Sequence, residues 1–154
     1  YYVRIYSQKD CLDLFEVLHI LQTAAVSIAA TTISSSYIAM LEENVRLSEQ
    51  CKDSAEFFRL NRDFHMIIAR STNNNFLADY IEQVYSRLFL FDFAKNPKLN
   101  LEESIKQHKR LIDALSRQNA EEAVRIHTEH AKVTGNYMNW ALASQNSKLS
   151  SDVL

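Results

Sequence analysis

The 154-residue sequence has one glycine, one proline and two cysteines. A β-rich fold spends many glycines and prolines on its turns, so this scarcity excludes a sandwich or barrel and points to long helices joined by short loops. A single glycine also excludes a P-loop or any other glycine-rich phosphate cradle. Cys11 and Cys51 are too few for a disulfide framework, and neither has a CxxC partner. Both read as small buried or half-buried apolar residues in a reducing compartment. Charge of one sign is lacking too. The net charge is −2 and the isoelectric point about 6.2, which leaves no basic footprint for nucleic acid. No uninterrupted apolar run is long enough to span a bilayer; the longest, around Ala24 to Ala30, is broken by Ser27. Near the start, Arg4, Gln8, Lys9 and Asp10 interrupt any secretory h-region. The expectation is therefore a cytoplasmic protein with no membrane partner.

What is present is an ordinary globular composition, 47% hydrophobic and 23% charged, in a length that suits one domain with a real core. Residues 1–7 alternate aromatic and β-branched types and read as the end of a strand. Helical periodicity then takes over. The first helix is expected from about Lys9 to Ile33, with Leu12, Phe15, Leu18, Leu21, Ala25 and Ile28 at three- and four-residue steps. The second runs from Ser36 to Gln50. Asp53 and Glu56 have capping-box spacing and start a third, which ends near Ser71. A turn over Thr72–Asn75 uses the tolerance of Asn for left-handed backbone. The fourth, Phe76 to Phe93, is apolar enough for a central place in a bundle. Pro97 breaks it. Asn100 with Glu103 and Asn119 with Glu122 cap a fifth helix to Arg117 and a sixth to Ala143, and a polar tail follows. The fold class is an all-α antiparallel bundle of six to seven helices.

Three histidines lie on three of these helices: His65, His108 and His130. Asn61 precedes His65 by four, so the two share a face. Imidazole is the commonest side-chain ligand of transition metals, and a bundle can bring three such helices to one point. Ordinary amphipathic positions are the other account of each histidine. Asp63 falls off the His65 face and Glu129 off the His130 face, so neither offers a general base. There is no Ser-His-Asp order either. His127 reads as a neighbour or hydrogen-bond donor to the site. Tyr80 and Tyr85 read as helix-interface residues, Phe89, Phe91 and Phe93 as packing, and Trp140 as a cover for one end of the bundle.

The ordered set resembles the C-terminal effector domain, called FCD, of GntR-type bacterial transcription regulators in the FadR-like branch. The resemblance rests on Asp13-Leu14-Phe15-Glu16-Val17, on Asn61 with Phe64-His65, and on Asn75-Phe76-Leu77. It continues through His108 with Leu111, Ile112 and Ala114, then Asn119 to Ala123, and closes on His130. It covers about residues 1 to 138. It implies a metal site at Asn61, His65, His108 and His130, with zinc first and nickel or manganese as alternatives. It also implies a small organic acid as effector, a homodimer, and no enzymatic activity. Residues 1–8 would be the remnant of the last strand of a winged helix-turn-helix domain plus linker, 9–144 the effector and dimerisation domain, and 145–154 a tail. DNA would be reached only through that N-terminal domain. Two departures stand out. Leu18 occupies a position where the family often has Arg, so Arg87 is the expected counter-charge for an effector carboxylate. Asn61 replaces the commoner Asp and removes one negative charge from the site. Two further readings stay open: a metal-dependent hydrolase or oxygenase, and a helical dimerisation module without a ligand.

Overall fold

A computed structural model describes residues 6–91 and 101–151. Among them are six helices and no strand: α1 (Gln8–Thr32), α2 (Ser35–Gln50), α3 (Ser54–Ser71), α4 (Asn75–Leu88), α5 (Leu101–Ser116) and α6 (Ala120–Ser151). Residues 1–5, the Pro97 break, Asn100 and Phe93 lie outside the described set.

Local chemistry sets the boundaries. Ser7 and Asp10 form a reciprocal capping box at α1 that the sequence reading passes over. At α3, Asp53 accepts from the backbone N–H groups of Ala55 and Glu56, while at α6 Asn119 accepts from Glu122. Asn73 takes a φ of 56° and carries the expected α3–α4 turn; Gln118 does the same between α5 and α6 at 54°. There the Asn119 N–H reaches back to the Ala114 carbonyl and that of Gln118 to Leu115, a Schellman closure without glycine.

Two ends differ from expectation. Instead of continuing to Phe93, α4 stops at Leu88. The N–H groups of Leu90 and Phe91 bond three residues back, a tightening that turns the chain inward. Phe91 then packs edge-on against Tyr6, ring centroids 6.1 Å apart. At the other end, α6 runs past Ala143 to Ser151, since neither proline nor glycine stops it there. The side chain of Trp140 is outside the described set.

Helix α1 is the hub, packing against α3, α4, α5 and α6, while α2 packs on α3 and α5. By length and composition alone α1 could cross a membrane, its most apolar 18-residue window having a mean hydropathy of 1.5. The helix packs against four others, and 33% of that window is buried. The lone glycine serves the α1–α6 contact: a Cβ on Gly135 would sit 3.1 Å from Cε1 of Phe15. The core has two lobes. One joins Leu18, Ala25, Met66, Ile81 and Leu88; the other joins Val26, Leu41, Phe64, Leu111 and Leu115.

Leu115 is fully buried in the second lobe. Its truncation to Ala leaves a cavity as well as losing apolar transfer, and should cost about 2–5 kcal/mol. Denaturant unfolding measures it; a loss under about 1 kcal/mol would mean that this lobe is loosely packed.

Candidate metal centre

Helix α3 carries Phe64 and His65, α5 carries Gln107 and His108, and α6 carries His127 and His130. These helices meet so that one ligand nitrogen from each of His65, His108 and His130 lies within 4.8 Å of the others. Ring centroids are 5.4 Å apart for His65–His108, 5.4 Å for His65–His130 and 4.8 Å for His108–His130. All three rings are buried.

Two of the rings are held by their surroundings. His108 stacks flat on Phe64, centroids 3.8 Å apart and planes 4° from parallel. His130 Nδ1 lies 2.8 Å from Oε1 of Gln107. The Gln107 amide is oriented by its Nε2, which donates to the Glu103 carboxylate, so the facing oxygen accepts and Nδ1 carries the proton. That leaves Nε2 of His130 with its lone pair free to bind an ion, the usual arrangement behind a metal-bound imidazole. Both nitrogens of His108 are buried without a hydrogen-bond partner.

Burial governs the electrostatics. Loss of water pushes the pKa values of His65 and His108 far below the ordinary imidazole value, with neighbouring rings adding to the effect. The same cause lowers His130 to about 4 and His127 to about 3. At neutral pH the cluster is uncharged and offers lone pairs rather than protons, as a metal requires. Buried imidazole nitrogens without hydrogen-bond partners and three converging nitrogen donors fit a divalent transition metal. Bonds of about 2 Å need the nitrogens within about 4 Å of one another, a small closure from 4.8 Å.

Beside the cluster lies a cavity of about 270 Å³. Its wall is largely apolar, with Phe15 and Leu18 from α1, Phe58 from α3, and Leu88, Phe89 and Phe91 from the end of α4. Asn61, His65 and His130 line it, as do His127, Arg59 and the buried pair Gln22–Tyr85, whose amide donates to the phenol oxygen at 2.6 Å. Asn61 thus stands at the same cavity as His65. Arg87 does not: it is exposed, donates to the Gln83 carbonyl at 3.0 Å and is absent from the wall. Arg59, an exposed residue with no sequence signal that marks it, lines the cavity instead. Asp63 is exposed, and Glu129 pairs with Arg125 and Arg110. Tyr80 is exposed, whereas Tyr85 is buried.

Residues 13–132 match the FCD domain model, and the chain belongs to the FCD domain family. No curated protein matches significantly. Among solved structures, McbR/YncC of E. coli is similar, with a TM-score of 0.78 at 23% identity over 90% of this chain and 68% of that one. A transcriptional regulator (GntR family member) from Pseudomonas syringae pv. tomato is also similar, with a TM-score of 0.78 at 19% identity over 95% of this chain. The present chain spans 62% of that protein's length. These likenesses show the all-α fold.

The depressed imidazoles make stability depend on pH. In the unfolded chain each histidine binds a proton near its ordinary pKa of about 6.5, whereas in the folded chain it does so only at far lower pH. Between these limits the unfolded state holds more protons. Metal-free stability should therefore be full above pH 6.5 and fall as pH drops toward 4, by up to about 1.4 kcal/mol per pH unit for each such histidine. Urea midpoints from pH 8 to 5 test this; a flat profile would show that the rings are solvated.

Proposed function

We propose that this chain is the ligand-sensing and dimerisation domain of a GntR-type transcription regulator. It holds one divalent ion through His65, His108 and His130, with Asn61 as a weaker oxygen ligand, and binds a small organic acid in the adjoining cavity. The observation that carries this reading is the convergence of three uncharged imidazoles, two of which, His65 and His130, line a mostly apolar cavity. Zinc is the first choice, with nickel or manganese next. When bound, the ion supplies a fixed positive charge for an acidic ligand.

The chain's own residues supply the remainder. Leu18 and the Phe15–Phe58–Phe91 group exclude water and favour a ligand with an apolar body. Arg59 is the cationic side chain at the cavity, and we assign to it the counter-charge role expected of Arg87. Exposed apolar residues on α1 (Val17, Ile20 and Ile28) and on α4 (Phe76 and Tyr80) suit a surface covered by a second copy. DNA would be reached through a separate N-terminal domain, and a cytoplasmic location goes with that role. A metal-dependent hydrolase is the weaker reading, because Asp63 is exposed and Glu129 is held in ion pairs.

Metal analysis after removal with a chelator and reloading with zinc tests the proposal. The wild-type chain should retain about one ion, and its melting temperature should rise, since an ion at a hundredfold excess over its dissociation constant adds about 2.7 kcal/mol. His108→Ala should lose most of the metal and the rise, and Asn61→Asp should bind more tightly by restoring a negative charge. Equal loading of wild type and His108→Ala would sink the assignment.

A further inference from the structure

The cavity wall carries a second polar feature besides the imidazoles. Gln22 from α1 and Tyr85 from α4 both line it, and they are only 7% and 9% exposed. The Gln22 amide donates to the Tyr85 phenol oxygen at 2.6 Å. That bond leaves one hydrogen-bonding group of each residue over. Among the described residues nothing donates to the Gln22 carbonyl oxygen, and nothing accepts from the Tyr85 O–H. Burial pushes the Tyr85 pKa well above the ordinary phenol value, so its proton stays in place at neutral pH. The Thr134 hydroxyl, also on the wall, is already used, since it donates to the His130 carbonyl. A leucine and a phenylalanine would close the same wall with no polar atom to satisfy.

One free donor beside one free acceptor is the complement of a hydroxyl, which both accepts and donates. Charged groups do not suit this place. No aspartate or glutamate is among the described residues of the wall, so an ammonium would be buried unpaired. A carboxylate would accept from Tyr85 but face the Gln22 oxygen. It would also lack a counter-charge: Arg62 and Asp63 act on Tyr85 in opposite directions, and Arg62 is paired with Glu82 at 2.9 Å. The volume of about 270 Å³ falls below the roughly 300–1,000 Å³ of sites for drug-sized ligands, which sets a small molecule. We infer that Gln22 and Tyr85 select the ligand, a small hydroxy acid with an apolar body, whose hydroxyl meets this pair while its carboxylate is held at the imidazole cluster. The inference rests on the sensing role proposed above and names the class of acid.

The test uses the 154-residue chain incubated with zinc. The probes are straight-chain carboxylic acids, scanned over chain length, that end in a hydroxyl, a methyl, a carboxylate or an ammonium, and calorimetry reads their affinities. At the best length the hydroxy acid should bind about tenfold more tightly than each counterpart. In Tyr85→Phe and in Gln22→Leu that preference should vanish, while the methyl-ended acid binds at least as well as it does to the wild type. A pair that served only to join α1 to α4 would weaken both acids alike and leave their ratio unchanged. Equal binding of the hydroxyl- and methyl-ended acids by the wild type would overturn the selecting role of Gln22 and Tyr85 and leave the sensing role standing. A wild type that binds none of the acids would overturn both.

Discussion

The structure depends on the burial of uncharged imidazoles where α3, α5 and α6 meet. A polar ring taken out of water loses its hydration and must be neutral, partnered or bound to something. Here the partners are few. Gln107 serves His130 and Phe64 covers one face of His108, while both nitrogens of His108 and of His127 go unpaired. An apolar core at this place would be simpler and more stable. The cluster is therefore a cost carried inside the fold, and an ion that accepts those lone pairs offsets it.

Site and cavity form one object. His65 and His130 belong to the cluster and also line the cavity, so a ligand bound there touches α3 and α6 directly. The remaining wall comes from α1 and from the end of α4, the two helices that expose Val17, Ile20, Phe76 and Tyr80 to the outside. In the sensing role proposed for this domain, the same helices feel the ligand and face the partner copy. A ligand that favours one arrangement of α1 and α4 would bias the assembly by its differential affinity for the two arrangements.

Much of this is legible in the sequence because helices announce themselves locally. Asp53 and Asn119 cap where their spacing says they should, and Asn73 takes the left-handed turn expected of it. The three histidines are legible only as an ordered set, since no two are near in the chain and only packing brings them together. Other features are set by tertiary contacts that periodicity does not encode. The end of α4 at Leu88 follows from where Phe91 finds a partner in Tyr6. Arg59 rather than Arg87 lines the cavity, and a residue pattern marks a face without naming what it faces. His127 reads as a neighbour of the site, and its full burial with unpaired nitrogens is likewise set by packing.

The central claim is that the buried cluster holds an ion. Anomalous X-ray diffraction from crystals of the zinc-loaded chain, recorded on both sides of the zinc absorption edge, tests it most directly. The account predicts one strong peak per chain at about 2 Å from a ring nitrogen of each of His65, His108 and His130. Zinc found only at exposed carboxylates, with the three rings packed against one another and no peak between them, would contradict it.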